Sequence, residues 1–317
     1  SGHVGGFNDP LVSDSKTKKR YRADHLLEEA GENPTGMSLD QMAALIQEKG
    51  IKSPDGNVLS APQQFNMMFK TSVGSVDGSD TTVYLRPETA QGMFVNFKNI
   101  IDSYHPKLPF GLAQIGRNFR NEIAPRDFIF RVRELEIMEL EYFIEEKTWE
   151  ERFEYWREQM QAWFRALGFE AVDIKEVEIP DGERAHYSKA TTDIEYHFPW
   201  GWGELEGIAN RGNFDLTAHQ KFSGKDMSIF DEATKTKFIP WVIEPSGGVD
   251  RALLALLLDA WQYHEKGRKN EGEPETVLGI DMRLSPYDAA VLPLIKKEPL
   301  VKKAEELAKL LRAEGQH

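Results

Sequence analysis

Three short segments join a charged side chain to a residue that shapes the backbone: Arg86-Pro87-Glu88, Phe119-Arg120-Asn121-Glu122 and Glu244-Pro245-Ser246-Gly247-Gly248-Val249-Asp250-Arg251. Taken singly, each reads as turn chemistry, because Pro, Gly and Asn beside a charge are ordinary in turns. An arginine fork can pair two hydrogen bonds with a phosphate or carboxylate, and carboxylates suit ammonium groups and hard cations. Other catalytic kits are missing. The sequence has no cysteine, which removes disulfides, thiol nucleophiles and cysteine zinc clips. None of its eight histidines falls in an H-E-x-x-H or similar pair, so no histidine metal site is expected.

These segments need a scaffold. Strand-like runs at 82–85, 110–115, 128–132, 194–198 and 238–243 are separated by hairpin or helical stretches. Such runs predict a mostly antiparallel sheet with helices on one face. Trp149, Phe153, Trp156, Met160, Trp163, Phe164 and Leu167 recur at steps of three and four, predicting a long amphipathic helix packed on that sheet. A buried helix is expected over 252–263, just after Gly247-Gly248. The polar stretch that follows reads as a linker, giving three divisions: a main domain over 1–264, a linker over 265–285, and a remainder over 286–317. In that remainder, a strand at 289–292 and a helix at 300–311 are too few to bury a core.

Composition narrows the partners. With 317 residues and 40% hydrophobic content, one large domain and a smaller one are expected. The most apolar run, 252–258, falls short of the roughly 18 residues a membrane helix needs, so no membrane association is expected. The opening residues lack the charged start and apolar stretch of a signal peptide, so the cytoplasm is the expected compartment. A net charge of −13 argues against a general nucleic-acid coat but leaves room for a local basic face. Lys16-Thr17-Lys18-Lys19-Arg20-Tyr21-Arg22 is either such a face or a solvated surface.

In this order and context the three segments resemble the class II aminoacyl-tRNA synthetases. Phe119-Arg120-Asn121-Glu122, a short loop through Pro125 and a return strand over 128–133 look like motif 2. The glycines before Asp250-Arg251, followed by a buried helix, look like motif 3. The stretches 1–10, 85–95 (LRPETAQGMFV), 130–139 and 243–251 are similar to the glycine-specific members, and the likeness runs over most of 1–264. It implies an α+β fold: a class II antiparallel sheet flanked by helices, with the start of a small α/β anticodon-binding domain. It also implies activation of glycine with ATP to glycyl-adenylate and transfer of glycine to tRNA(Gly), in a homodimer.

The resemblance assigns roles. Activation gathers negative charge between two anions, the amino-acid carboxylate and ATP, so fixed cations are needed. Arg120 is placed on the α-phosphate and the glycine carboxylate, Arg251 on the far phosphates, and Glu122 joins them in the catalytic set. Asn121, Phe130, Arg131, Val132, Arg133, Glu134 and Leu135 are expected on the adenine and ribose side, Phe130 either stacking on the base or serving the core. Glu204, Leu205, Gly248, Val249 and Asp250 complete the expected ATP contacts, and Glu204 and Glu244 are the expected Mg2+ ligands.

Glycine offers no side chain to grip, so its pocket must be small and anionic. Glu88 and Glu139 are expected on the ammonium, with Glu136, Glu244 and Ser246 in the wall, Arg211 as counter-charge and Arg22 at the border. Two other readings compete: a silent synthetase-like accessory subunit, and a class II enzyme of other specificity. The joint presence of Arg120, Glu122, Arg251, Glu88 and Glu139 opposes the first, and the Arg86-to-Gly92 and Glu244-to-Gly248 segments oppose the second. Measured against the family pattern, the motif 1 helix and most of the anticodon-binding domain lie outside these residues. The expectation is therefore a chain that activates glycine and charges tRNA weakly.

Overall fold

Alternating burial runs along Phe110–Phe119 (β1) and Glu134–Ile144 (β2), which pair antiparallel from Phe110 opposite Phe143 to Phe119 opposite Glu134. The computed structural model describes residues 2–73, 82–169, 171–182, 184–185, 187–231, 234–269 and 271–315. Ile174–Glu178 (β3), Ala190–Phe198 (β4), Gly201–Gly212 (β5) and Trp241–Gly248 (β6) complete a six-stranded sheet. Its order is β1-β2-β6-β5-β4-β3, and every neighbouring pair is antiparallel.

Helices Ala90–Tyr104 (α1) and Phe214–Ser223 (α3) share one core cluster with the sheet. Ala90, Phe94 and Phe97 of α1 meet Phe143 of β2, Val242 of β6 and Leu216 of α3, all fully or almost fully buried. Phe97 and Phe143 have ring centroids 4.8 Å apart. Burying such a ring contributes about 1.5–3 kcal/mol, so this cluster fixes α1 against the strands that carry the site. Trp149–Ala166 (α2) forms the long helix expected from its periodicity, and its Trp156 meets Tyr142 of β2 edge-on at 5.3 Å. An N-terminal block adds a second cluster from Val12, Ala23, Leu26, Leu27, Met42 and Ile46. Its helix Leu39–Glu48 starts in a capping box, Ser38 accepting from the Gln41 amide while the Gln41 side chain accepts from the Ser38 amide.

Four expected elements differ. No strand forms over 128–132: Asp127 and Phe128 adopt φ of 58° and 55°, the chain turns there, and the return strand begins only at Glu134. The run 238–243 is split at Pro240, which offers no amide to a ladder, so Thr236–Phe238 pairs with Ile229–Asp231 and β6 starts at Trp241. The helix expected over 252–263 is Val249–Ala260 (α4), after which Trp261–His264 pairs with Glu275–Leu278. Aromatic residues at 261 and 263 favour that extended pairing. Among the described residues 289–292 form no strand, having no partner edge to satisfy them, and Leu292 is largely exposed.

The chain divides into two compact units, Ser1–Ala162 with Ala171–Leu254, and Trp163–Glu170 with Ala255–His317. The first holds the sheet and the N-terminal block. In the second, Phe164 and Phe169 are buried edge-to-face at 5.7 Å, and Glu298–Ala313 (α5) is its longest helix. Among the described residues, no helix is long and apolar enough to cross a membrane.

Candidate active site

Strand register gathers the acidic residues. Ser246 is opposite Glu139, Glu244 opposite Ala209, and Gly207 opposite both Ser246 and Asp193. Opposed residues of antiparallel strands point to one face, so Glu139, Glu141, Asp193, Glu244 and Ser246 all project from the α1 side of the sheet. All of these but Glu141 border a cavity of about 400 Å³ whose wall also includes Glu88, Arg120 and Glu204.

At its acidic end, the Thr89 amide donates to Glu139 Oε2 at 2.6 Å, and the Thr89 hydroxyl donates to the same oxygen. Arg211 is fully committed: Nε and Nη2 donate to Asp215 at 2.8 and 3.1 Å, and Nη1 donates to Glu244 Oε2 at 2.6 Å. Its guanidinium also stacks 4.0 Å from the Tyr187 ring centroid. Glu88, Glu139, Glu141, Asp215 and Glu244 are buried around this one buried arginine. The excess shows at Glu244, Glu139 and Glu141. Burial pushes Glu244 up to about 7 against the pull of Arg211, with Glu139 and Glu88 adding to the rise. Burial also raises Glu139, and raises Glu141 well above the usual carboxylate range, with Glu244 reinforcing the latter. Burial opposes the charge on Arg211, but Glu244, Glu141 and Asp215 outweigh it and hold the guanidinium well above its ordinary value.

The cationic end is built differently. The ladder of β1 and β2 continues one step past Phe119, the Arg120 amide donating to Arg133 O at 2.9 Å, and Arg120 Nε donates to Pro87 O at 3.2 Å. Pro87 is itself positioned because Arg86 Nε donates to Arg117 O at 2.8 Å and the Phe119 amide donates to Arg86 O. Arg251, in the first turn of α4, donates through Nε to Phe130 O and through Nη1 to Glu204 O and Oε2, all at 3.0–3.1 Å. Its guanidinium carbon lies 4.2 Å from the Phe130 ring centroid, and that ring meets Phe198 edge-on at 5.0 Å. A Cβ on Gly203 would stand 2.9 Å from Phe130 Cζ, so glycine there admits the ring. Gly248 lies under the Arg251 stem, where a Cβ would make ordinary contact with Cγ at 3.4 Å.

Several expected site residues lie elsewhere. Arg22, Glu122 and Arg131 border a separate cavity of about 220 Å³ beside the N-terminal block. There Arg22 pairs with Asp9 and Asp24, and Arg131 Nη1 lies 3.5 Å from Glu122. The Glu122 carbonyl accepts from Arg133 Nε, so these groups tie the turn after β1 together. Glu136 is exposed on the face opposite Glu139, where its amide donates to Asp250 Oδ2 at 2.9 Å. Glu134 pairs with Arg117 in solvent, and Leu205 is buried in the core. The Asn121 amide donates to Met67 O, while Val132, Leu135 and Val249 are absent from the cavity wall.

The site also includes Thr89, Gln91, Glu141, Tyr187, Asp193 and Asp215, which sequence reasoning missed. Thr89 and Gln91 stand inside the LRPETAQGMFV stretch, and the Arg211 to Asp215 step of four was a visible ion-pair spacing; Tyr187 had no local signal. Asp193 and Glu204 both face the space above Gly207, where a Cβ would meet Asp193 Oδ1 at 3.4 Å and Glu204 Oε1 at 3.8 Å. Burial, reinforced by Glu204 and Glu195, pushes Asp193 up to about 7.

Behind the site, on the opposite face, lies another acid. Glu206 is opposite Gly247 and buried, and Oε2 has no hydrogen-bond partner among the described residues. Burial, with Glu204 and Glu244 adding to it, pushes Glu206 up to about 8. A Cβ on Gly247 would collide with Glu206 Oε2.

Residues 69–260 match the family described as the tRNA synthetase class II core domain (G, H, P, S and T). The chain is 49% identical to a glycine–tRNA ligase of Mycoplasmopsis synoviae over 301 residues, covering 94% of this chain and 66% of that protein. The enzyme of that name from Geobacillus kaustophilus is 47% identical, with the same 94% and 66% coverage. One from Mycolicibacterium vanbaalenii is 46% identical over 98% of this chain and 68% of its own length. Among solved structures, a Giardia lamblia prolyl-tRNA synthetase in complex with prolyl-adenylate has a similar fold, with a TM-score of 0.50 and 18% identity. That likeness covers 60% of this chain and 37% of the other.

Proposed function

Because the chain belongs to the class II tRNA synthetase core family, we propose that it activates glycine with ATP and transfers the glycyl group to tRNA(Gly). One observation carries the reading: one cavity wall holds the buried carboxylates Glu88, Glu139 and Glu244 together with Arg120, and Arg251 is tied to Glu204 of that wall. An acidic end with surplus negative charge favours an ammonium ion, and the two arginines favour phosphates. A zwitterion with no side chain bridges the two.

In the first step a glycine carboxylate oxygen attacks the α-phosphorus of ATP, and the bond to pyrophosphate breaks. Glu139, Glu244 and Glu88 hold the ammonium, and Ser246 stands beside Glu139, its hydroxyl 3.5 Å from Oε1. Arg120 lies on the phosphorus being attacked, and Arg251 on the departing phosphates. Phe130 gives one face to Arg251 and supports a reading in which the base packs beside it. In the second step a ribose hydroxyl of the tRNA end attacks the glycyl carbonyl carbon, displacing AMP.

Mg2+ fits the donor set at the space above Gly207, where Glu204 and Asp193 converge and phosphate oxygens would complete the shell. There it would offset phosphate charge. Glu244 is paired with the buried Arg211 beside Glu139, so this reading gives it to the ammonium, whereas Glu204 meets Arg251 through Oε2 and keeps Oε1 toward Gly207 for the metal. Among the described residues no group of three or more acidic or histidine side chains forms a metal cage, which suits an ion held largely by substrate. The cytoplasm and a homodimer are part of the proposal on family resemblance alone.

Pyrophosphate exchange with each of the twenty amino acids tests the reading. Exchange dependent on glycine is expected; exchange with another amino acid and none with glycine would overturn it.

A further inference from the structure

Gln91, in the first turn of α1, joins two parts of the site through one amide. Its Nε2 donates to Glu88 Oε1 at 2.9 Å and to Asp215 Oδ1 at 3.1 Å, and its Oε1 faces His219 Nε2 at 3.2 Å. Glu88 belongs to the loop before α1, whereas Asp215 belongs to the arm in which Arg211 reaches Glu244. A primary amide has two hydrogens, one for each carboxylate. Turning the amide over would set its oxygen against both acids, so electrostatics fixes its orientation, and His219 completes the set by donating from Nε2.

Gln91 borders an adjoining cavity of about 290 Å³, which shares Glu88 and Arg120 with the larger one but does not include Glu139 or Ser246. It therefore acts through Glu88. Two neighbouring carboxylates repel, and without a shared donor Glu88 would swing away from Asp215. That motion would relax the wall that Glu88 gives the larger cavity.

We propose that Gln91 is a specificity-determining positioning residue, one that holds Glu88 against the Arg211 arm so that the acidic end admits an amino acid lacking a Cβ. The proposal rests on the glycine-activating reading above. To admit alanine, Glu88 must withdraw and give up its bond to Gln91. A hydrogen bond to a charged group is worth about 1.5–3 kcal/mol, which is roughly a tenfold to hundredfold discrimination.

The test is pyrophosphate exchange with glycine and, separately, alanine for the unaltered chain, Gln91→Leu, Gln91→Glu, Glu88→Gln and the double variant Glu88→Gln with Gln91→Leu. For Gln91→Leu the expected results are a glycine KM raised about tenfold, an ATP KM within about twofold, and a glycine-to-alanine ratio of kcat/KM lowered about tenfold. Gln91→Glu keeps the size and polarity but sets a third carboxylate against Glu88 and Asp215, so its glycine KM should rise further. If Gln91→Leu does not fold, Gln91→Glu carries the same comparison. In the double variant the Leu substitution should add little, because its effect travels through Glu88. Equal rises in the glycine and ATP KM, an unchanged glycine-to-alanine ratio, or additive losses would each overturn the proposal alone. No glycine-dependent exchange in the unaltered chain would overturn the glycine reading and this proposal with it.

Discussion

Beside the acidic wall Arg211 spends its guanidinium on Asp215 and Glu244, whereas Arg120 in the cavity wall and Arg251, tied to Glu204 of that wall, are steered mainly by backbone carbonyls. A carbonyl orients an arginine without neutralising it. Among the described residues Arg120 makes no salt bridge, and the partly exposed Glu204 is the acid paired with Arg251. The acidic end is the reverse case, with more buried carboxylates than its one buried cation can satisfy. The contrast teaches how one pocket can be ready for both halves of a zwitterion and a polyphosphate: at each end the protein leaves unspent the charge that the ligand opposes.

The sharpest way to break this comparison is to remove the unspent cation. Arg120→Ala is expected to lower the rate of glycine-dependent pyrophosphate exchange at least about a hundredfold, the scale for losing one positioned donor on developing charge. Near-normal exchange would show that Arg120 is structural. Next comes the acidic end. Glu139→Gln should raise the glycine KM about tenfold or more while moving the ATP KM less than about twofold, because on the proposed reading the lost charge serves the ammonium. Equal changes in both would erase the distinction between the ends.

The smallest expected effect concerns stability without ligand. Glu206 rises from 4.5 to about 8 and Glu244 from 4.5 to about 7 on folding. The native state therefore binds more protons than the unfolded state in that window, so stability is fully present below about 4.5 and is lost as pH rises through the folded values. A Tm that falls by roughly a few degrees between pH 5 and 8.5 is expected, and Glu206→Gln should flatten the fall. A Tm that climbs over this range would mean that these acids are ionised in the folded state.

The sequence made the elements and the three charged segments legible because both depend on local pattern. The strand-like run at 110–115 marked β1, and the periodic aromatics marked α2. Arg120, Glu88, Glu139 and Glu244 could be grouped because their neighbours carry family motifs. What escaped notice depends on long-range register or backbone geometry. Glu136 and Glu139 look equivalent in sequence, yet their odd separation puts them on opposite faces of β2. The turn at Asp127 and Phe128 requires left-handed backbone at two residues with side chains, which no propensity suggests. Tyr187 meets Arg211 across a sequence separation that no local pattern marks.

The interlock of Glu206 with Gly247 constrains how this site can be reached by successive changes. Position 247 lies one residue from Ser246 and four from Arg251, so any lineage altering it alters the backbone between the acidic wall and the phosphate-facing arginine. Any side chain at 247 meets the buried carboxylate at once, and overpacking of this kind costs about 1–3 kcal/mol. A shorter residue at 206, by contrast, removes an unpartnered acid and opens the space behind the strand. The two positions are therefore coupled: shortening position 206 removes the carboxylate that a side chain at 247 meets first, leaving Leu205 O at 3.1 Å as the next neighbour.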